Sequence, residues 1–160
     1  MTPIRARSLR GQRAWFQRNG ERRTHYSLIA ALGLKKLAAP LWIEGSINGE
    51  VFLKYLKENL IPSLQKGSVV VMDNLSVHKV KGVEEIFKEA EIELIYLPPY
   101  SPEFSPIELF WSKLKTFLRR KGAEQLEQLS LGIKEAIETV TPKDIRNWFW
   151  HCGYWSPIKV

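Results

Sequence analysis

Aspartate is nearly absent from this 160-residue chain: of its 17 acidic residues only two, Asp73 and Asp144, are aspartates. Any chemistry that needs several Asp side chains must therefore recruit Glu or take a ligand from elsewhere. Cysteine is scarcer still. Cys152 stands alone, which excludes an internal disulfide, and with only His25, His78 and His151 beside it no zinc-finger spacing can be drawn. Long apolar runs are missing as well, and no charged leader precedes an apolar stretch and a small-residue cleavage site. These absences point away from membrane spans and secretion, toward a reducing, cytoplasmic setting.

Hydrophobic residues make up 44% of the chain and charged residues 26%, with six Trp, seven Phe and five Tyr, so the sequence can bury a core and is not low-complexity. Its length suits one domain. The net charge of +7 is unevenly placed. Residues 1–36 carry nine cations, Arg10 and Arg13 among them, against the single anion Glu21, while the remainder of the chain is almost neutral. A basic leader on a neutral globule is the electrostatic footprint of a polyanion-binding protein, most often one that binds nucleic acid.

Periodicity divides the chain into a basic leader (1–23), a core (24–121) and C-terminal helices (123–160). Residues 24–32 and 37–47 read as a hairpin turning at 33–36. Asn48 is a candidate N-cap for a helix running to about residue 65, with Phe52, Tyr55, Leu56, Leu60 and Leu64 at helical spacing. Ser68–Met72 is short, apolar and β-branched, the pattern of a strand covered on both faces, and it stops at Asp73 and Asn74. A helix around Val80–Ala90 and a strand at 93–97 complete a parallel crossover unit. A proline-rich turn then leads into a helix from Pro106 to Lys121, closed by Gly122. Two more helices follow, the last opened by Thr141, Pro142 and Asp144, and its Trp148, Phe149 and Trp150 are expected to pack on the body.

Asp73 and Glu108 are the candidate catalytic pair. One ends a buried strand, the other begins a helix, and open α/β sheets collect their ligands at the carboxyl ends of strands. On a helical wheel the apolar stripe Ile107, Phe110, Trp111, Leu114, Phe117 and Leu118 spans about 120°. Glu108 falls outside it, on the face of Ser112, Lys115 and Arg119. Such a face suits a divalent ion beside a phosphate backbone; it equally suits an ordinary amphipathic helix with an acid in its first turn.

The segments VVVMDNLSVHK (69–79) and YLPPYSPEFSPIELFWSKLK (96–115) resemble the second and third catalytic blocks of the DDE transposases, in the bacterial insertion-sequence branch of the mariner-like superfamily. The Asp-Asn pair, the Pro-Pro-Tyr-Ser-Pro turn, the Pro-Ile-Glu block and the 34 residues between Asp73 and Glu108 carry the likeness. It implies a ribonuclease H-like α/β fold, a mixed sheet flanked by helices. It also implies that Asp73 and Glu108 are the second and third catalytic carboxylates, ligating two Mg²⁺ or Mn²⁺ ions. Double-stranded DNA would be the partner and a homodimer the working form. Asn74 would orient Asp73 or a metal-bound water, or else form the strand-end turn; His78 would contact phosphate, or else start the next helix. Lys113, Lys115, Arg119 and Arg120, with Arg10 and Arg13 of the leader, are the candidate DNA-binding cations.

The family's first catalytic Asp has no counterpart, since no Asp precedes Asp73. The resemblance places that residue, with the central first strand, before Met1. The expectation is therefore a truncated catalytic domain lacking its first strand, inactive alone and marginally stable. Its rival is a non-catalytic DNA-binding remnant.

Overall fold

The computed structural model describes residues 8–13, 24–121 and 126–154. Most of the basic leader, and Gly122, lie outside them. Strands β1 (Tyr26–Leu32) and β2 (Leu37–Glu44) form the expected antiparallel hairpin, closed where Gly33 N–H donates to Lys36 O at 3.0 Å. Tyr26 and Trp42 stack across it at 4.8 Å. Between the pairs Ile29–Leu41 and Ala31–Ala38, β2 carries one extra residue, and Ala39 there takes a left-handed φ of 47°. The bulge accommodates Pro40, which has no N–H for the ladder, and it inverts the facing of β2.

Both faces of the hairpin are consequently used. Ile29, Ala31, Ala39 and Leu41 pack on one core; Leu28, Leu32, Leu37 and Trp42 pack on another. The first core is built by α1 (Gly49–Tyr55), which runs on through a π-helical turn (Leu56–Leu60) into α2 (Ile61–Ser63), together with β3 (Val69–Met72), α3 (Val83–Glu89) and β4 (Glu93–Tyr96). Asn48 caps α1 as expected, its Oδ1 accepting from Val51 N–H at 2.9 Å. The second core is built by α4 (Pro106–Lys121), α5 (Leu126–Glu138) and α6 (Pro142–His151) around Phe110, Leu114, Leu118, Ile133 and Ala136. Each large side chain buried in this way contributes about 1.5–3 kcal/mol.

β3 and β4 pair in parallel, Val69 with Glu93 through Met72 with Tyr96, as the crossover reading requires. The two sheets remain separate two-stranded pieces, with no described strand joining β1 to β3. β3 departs from the sequence expectation in one respect. It is not covered on both faces: Val70 packs on the first core and Met72 is buried in it, whereas Val69 is 51% and Val71 37% exposed, with Ile95 of β4 exposed beside them. A continuous β-branched run does not reveal which neighbours are present, and no described element lies over this face. Trp150 is a second departure. It is 72% exposed, because on α6 it is Trp148 that packs against the second core.

Candidate active site

Parallel pairing brings the C-terminal ends of β3 and β4 side by side, and the cleft forms there. Leu97 N–H donates to Met72 O at 2.8 Å, prolonging the ladder by one step before Pro98 ends it. Asn74 then ties the two strand ends, its side-chain amide donating to Leu97 O. This is a bracing role. Asp73 caps its own turn, its Oδ1 accepting from Leu75 N–H at 3.1 Å.

From Pro98 the chain is stiffened by Pro99, Pro102 and Pro106. A 3₁₀ turn, Pro102–Phe104, is closed by Phe104 N–H to Ser101 O at 3.2 Å and Ser105 N–H to Pro102 O at 3.0 Å. Glu108 N–H donates to Ser105 O at 3.1 Å, fixing the first turn of α4. These bonds set Glu108 on the exposed side of the helix, with the predicted stripe turned inward. Asp73, Asn74, Leu75, Leu97, Tyr100 and Glu108 all line the resulting cleft.

His78 also reaches the site. It lies in a 3₁₀ turn, Ser76–Lys79, and does not start α3, which begins at Val83. Its ring is mostly buried against Phe52 (4.8 Å between centroids), and its carbonyl accepts from Tyr96 Oη at 2.8 Å. Nδ1 stands 2.7 Å from Asp73 Oδ1 without the directionality of a hydrogen bond, so the ring faces the carboxylate as an electrostatic neighbour.

The donor chemistry suits a hard divalent cation as far as it goes. Two carboxylates share the cleft, and the Glu108 carboxylate has no hydrogen bond or ion pair among the described residues. No group of three or more His, Cys, Asp or Glu side chains able to hold a metal is assembled among the described residues.

The candidate cations divide into two groups. Lys113 is already engaged: its Nζ lies 2.9 Å from Asp144 Oδ2 and donates to Thr139 O at 2.8 Å, locking α4 to α6. That contact, joined by hydrogen bonds from the Thr141 backbone and hydroxyl, lowers the Asp144 pKa from 3.8 to about 2. Lys115, Arg119 and Arg120 have no ion pair among the described residues, and Arg10 and Arg13 are exposed. A separate depression on α4 and α6, lined by Ser112, Lys113, Thr116, Arg120 and Trp148, contains no carboxylate.

A parallel strand pair with a carboxylate at the C-terminal end of β3, sharing its cleft with a helix-borne carboxylate beyond a proline-braced turn, belongs to an α/β domain of the ribonuclease H-like type. The chain belongs to the DDE superfamily endonucleases, whose pattern it matches over residues 1–130. Its fold is similar to that of part of the Mos1 transposase. It aligns with the Mos1 strand transfer complex at TM-score 0.71 and 16% identity, over 92% of this chain and 46% of that one. The Mos1 mariner paired end complex with Mn gives TM-score 0.71 and 14% identity, with the same coverages. The Mos1 transposase catalytic domain with raltegravir and Mg gives 0.63 and 10%, over 81% of this chain and 78% of that one. The chain thus spans about half the length of the first two. No curated protein matches it. Among the described residues no helix is long and apolar enough to cross a membrane.

Proposed function

We propose that this chain is the part of a cut-and-paste DNA transposase that supplies two of its catalytic carboxylates, Asp73 and Glu108, for metal-dependent cleavage of DNA and transfer of a 3′-hydroxyl. The observation that carries the proposal is their convergence on one cleft, in a chain of the DDE endonuclease family. Asp73 and Glu108 would hold Mg²⁺ or Mn²⁺, a third carboxylate coming from residues outside this sequence. When bound, a pair of such ions stabilises the attacking and leaving oxygens of an in-line phosphodiester displacement. His78 and Asn74 act as positioning residues, the first packed against Asp73 and the second holding the strand ends together. Lys115, Arg119 and Arg120, with Arg10 and Arg13, hold the DNA backbone, while Lys113 steadies α4, which carries the first three. The bacterial insertion-sequence branch, insertion at TA dinucleotides, a homodimer holding both element ends and a location at the bacterial nucleoid follow from the sequence resemblance.

The test is made in the transposase that joins this sequence to the strand bearing the first Asp. Asp73→Ala and Glu108→Ala should each abolish Mg²⁺-dependent cleavage and leave DNA affinity within a few-fold. Retained cleavage in both variants would sink the proposal. A second reading, a DNA-binding remnant without chemistry, is favoured by the two-carboxylate count. It predicts salt-sensitive DNA binding with no metal-dependent nicking in any joined form.

A further inference from the structure

Tyr100 combines two features that are individually uncommon and jointly costly. Its backbone is left-handed, with φ of 58°, a conformation that glycine or asparagine adopts readily and that strains a bulky side chain. Its side chain is 100% exposed, so the ring gains nothing from the core in return. The position is not a loose loop tip. Pro98 and Pro99 precede it, and Ser101, Pro102 and Ser105 follow in a hydrogen-bonded turn, so its backbone is fixed at the cleft that Asp73 and Glu108 also line. Leu75, 56% exposed, lines the same cleft. Tyr100 and Leu75 thus put exposed apolar surface beside the two carboxylates of the cleft lining.

Resting on the function proposed above, we propose that Tyr100 is a specificity-determining residue that stacks on an unpaired nucleobase beside the phosphate that a divalent ion at Asp73 and Glu108 would hold. A phosphodiester held through a divalent ion that Asp73 and Glu108 would bind keeps its attached base nearby. A paired base is already stacked on its neighbours and offers no free π-face; an unpaired one does, and an aromatic ring is the side chain best suited to it. The exposed side chain of Leu75, in the same cleft lining, would shield the same base from water. No hydrogen bond to a base edge is implied, so the preference is for unpaired over paired structure and not for one base over another.

The test uses the full chain with Mg²⁺ and two DNA duplexes carrying 2-aminopurine, one with the probe in a single unpaired terminal nucleotide and one with it fully paired. The native chain should quench the unpaired probe and bind that duplex roughly tenfold more tightly than the paired one, the scale of one base–aromatic stack. Tyr100→Gly relieves the left-handed backbone while removing the ring. It should melt no lower than the native chain, lose the quenching and bind both duplexes equally, whereas Tyr100→Trp should keep the preference. Preference retained in Tyr100→Gly and Tyr100→Leu overturns the inference. Equal binding of both duplexes by the native chain overturns it while leaving the carboxylate site standing. Failure of the native chain to bind either duplex overturns both.

Discussion

Tyr55 shows how a single buried atom sets a measurable quantity. It is 2% exposed at the junction of α1 with the π-helical turn, and its hydroxyl finds no hydrogen-bond partner among the described residues. Burial accordingly pushes its phenol pKa well up. An unpartnered buried hydroxyl carries a desolvation cost of about 1–3 kcal/mol, so Tyr55→Phe should stabilise the chain by about 1 kcal/mol in urea unfolding. A loss of stability would mean that the hydroxyl is satisfied in solution. Asp73 and Glu108 were legible from sequence because each carries a local signal: an apolar run stopping at an acid, and an acid outside a helical stripe. The contact of His78 with Asp73 was only partly legible, since it depends on Phe52 and Tyr96, which come from other elements. Lys113 and Arg120 look alike in sequence. Only the approach of α6 separates the engaged cation from the one with no ion pair among the described residues.

Among the elements, α4 and α6 follow their sequence signals most closely. The α4 stripe is inward as predicted, and Thr141 with Asp144 forms a reciprocal capping box: Asp144 N–H donates to Thr141 Oγ1 at 3.1 Å, and Thr141 N–H donates to Asp144 Oδ2 at 2.8 Å. Thr141→Ala should cost about 1 kcal/mol. The pH dependence follows in sign from the lowered Asp144 pKa. Its ionised form stabilises the fold fully above its unfolded value of 3.8, and that contribution is lost as pH falls toward about 2. The side chain is 32% exposed, so solvent screening reduces the contribution to on the order of 1 kcal/mol. Asp144→Asn should flatten this part of the stability curve between pH 4 and pH 2, roughly; an unchanged slope would remove Asp144 from the account. The β2 bulge and the π-helical turn had no such local signature. The first answers to Pro40 and to the two cores flanking the hairpin; the second interrupts an apolar pattern that reads as one uninterrupted helix.

At the scale of the whole molecule, two cores meet across the β1–β2 hairpin, and the β3–β4 pair stands apart from that hairpin with one apolar face open. An unpaired strand edge with an exposed apolar face favours association. Val71→Lys, on the open face, should therefore lower the concentration dependence of light scattering without changing the helical circular-dichroism signal. Equal scattering would show that this face is not the one that associates. The expected mixed sheet was legible as its parts, hairpin and parallel crossover, because each is encoded by local periodicity. Whether the parts join into one ladder is a long-range property, and no local pattern carries it.

The central claim is that Asp73 and Glu108 act together on a divalent ion, and Mn²⁺ binding by the native chain, followed by the loss of the free-ion paramagnetic resonance signal, tests it most directly. The account predicts saturable binding that Asp73→Asn and Glu108→Gln each weaken by at least roughly tenfold, while Glu103→Gln, on the same turn but outside the cleft lining, leaves it unchanged. Binding that survives both cleft substitutions, or that is absent from the native chain, would contradict it.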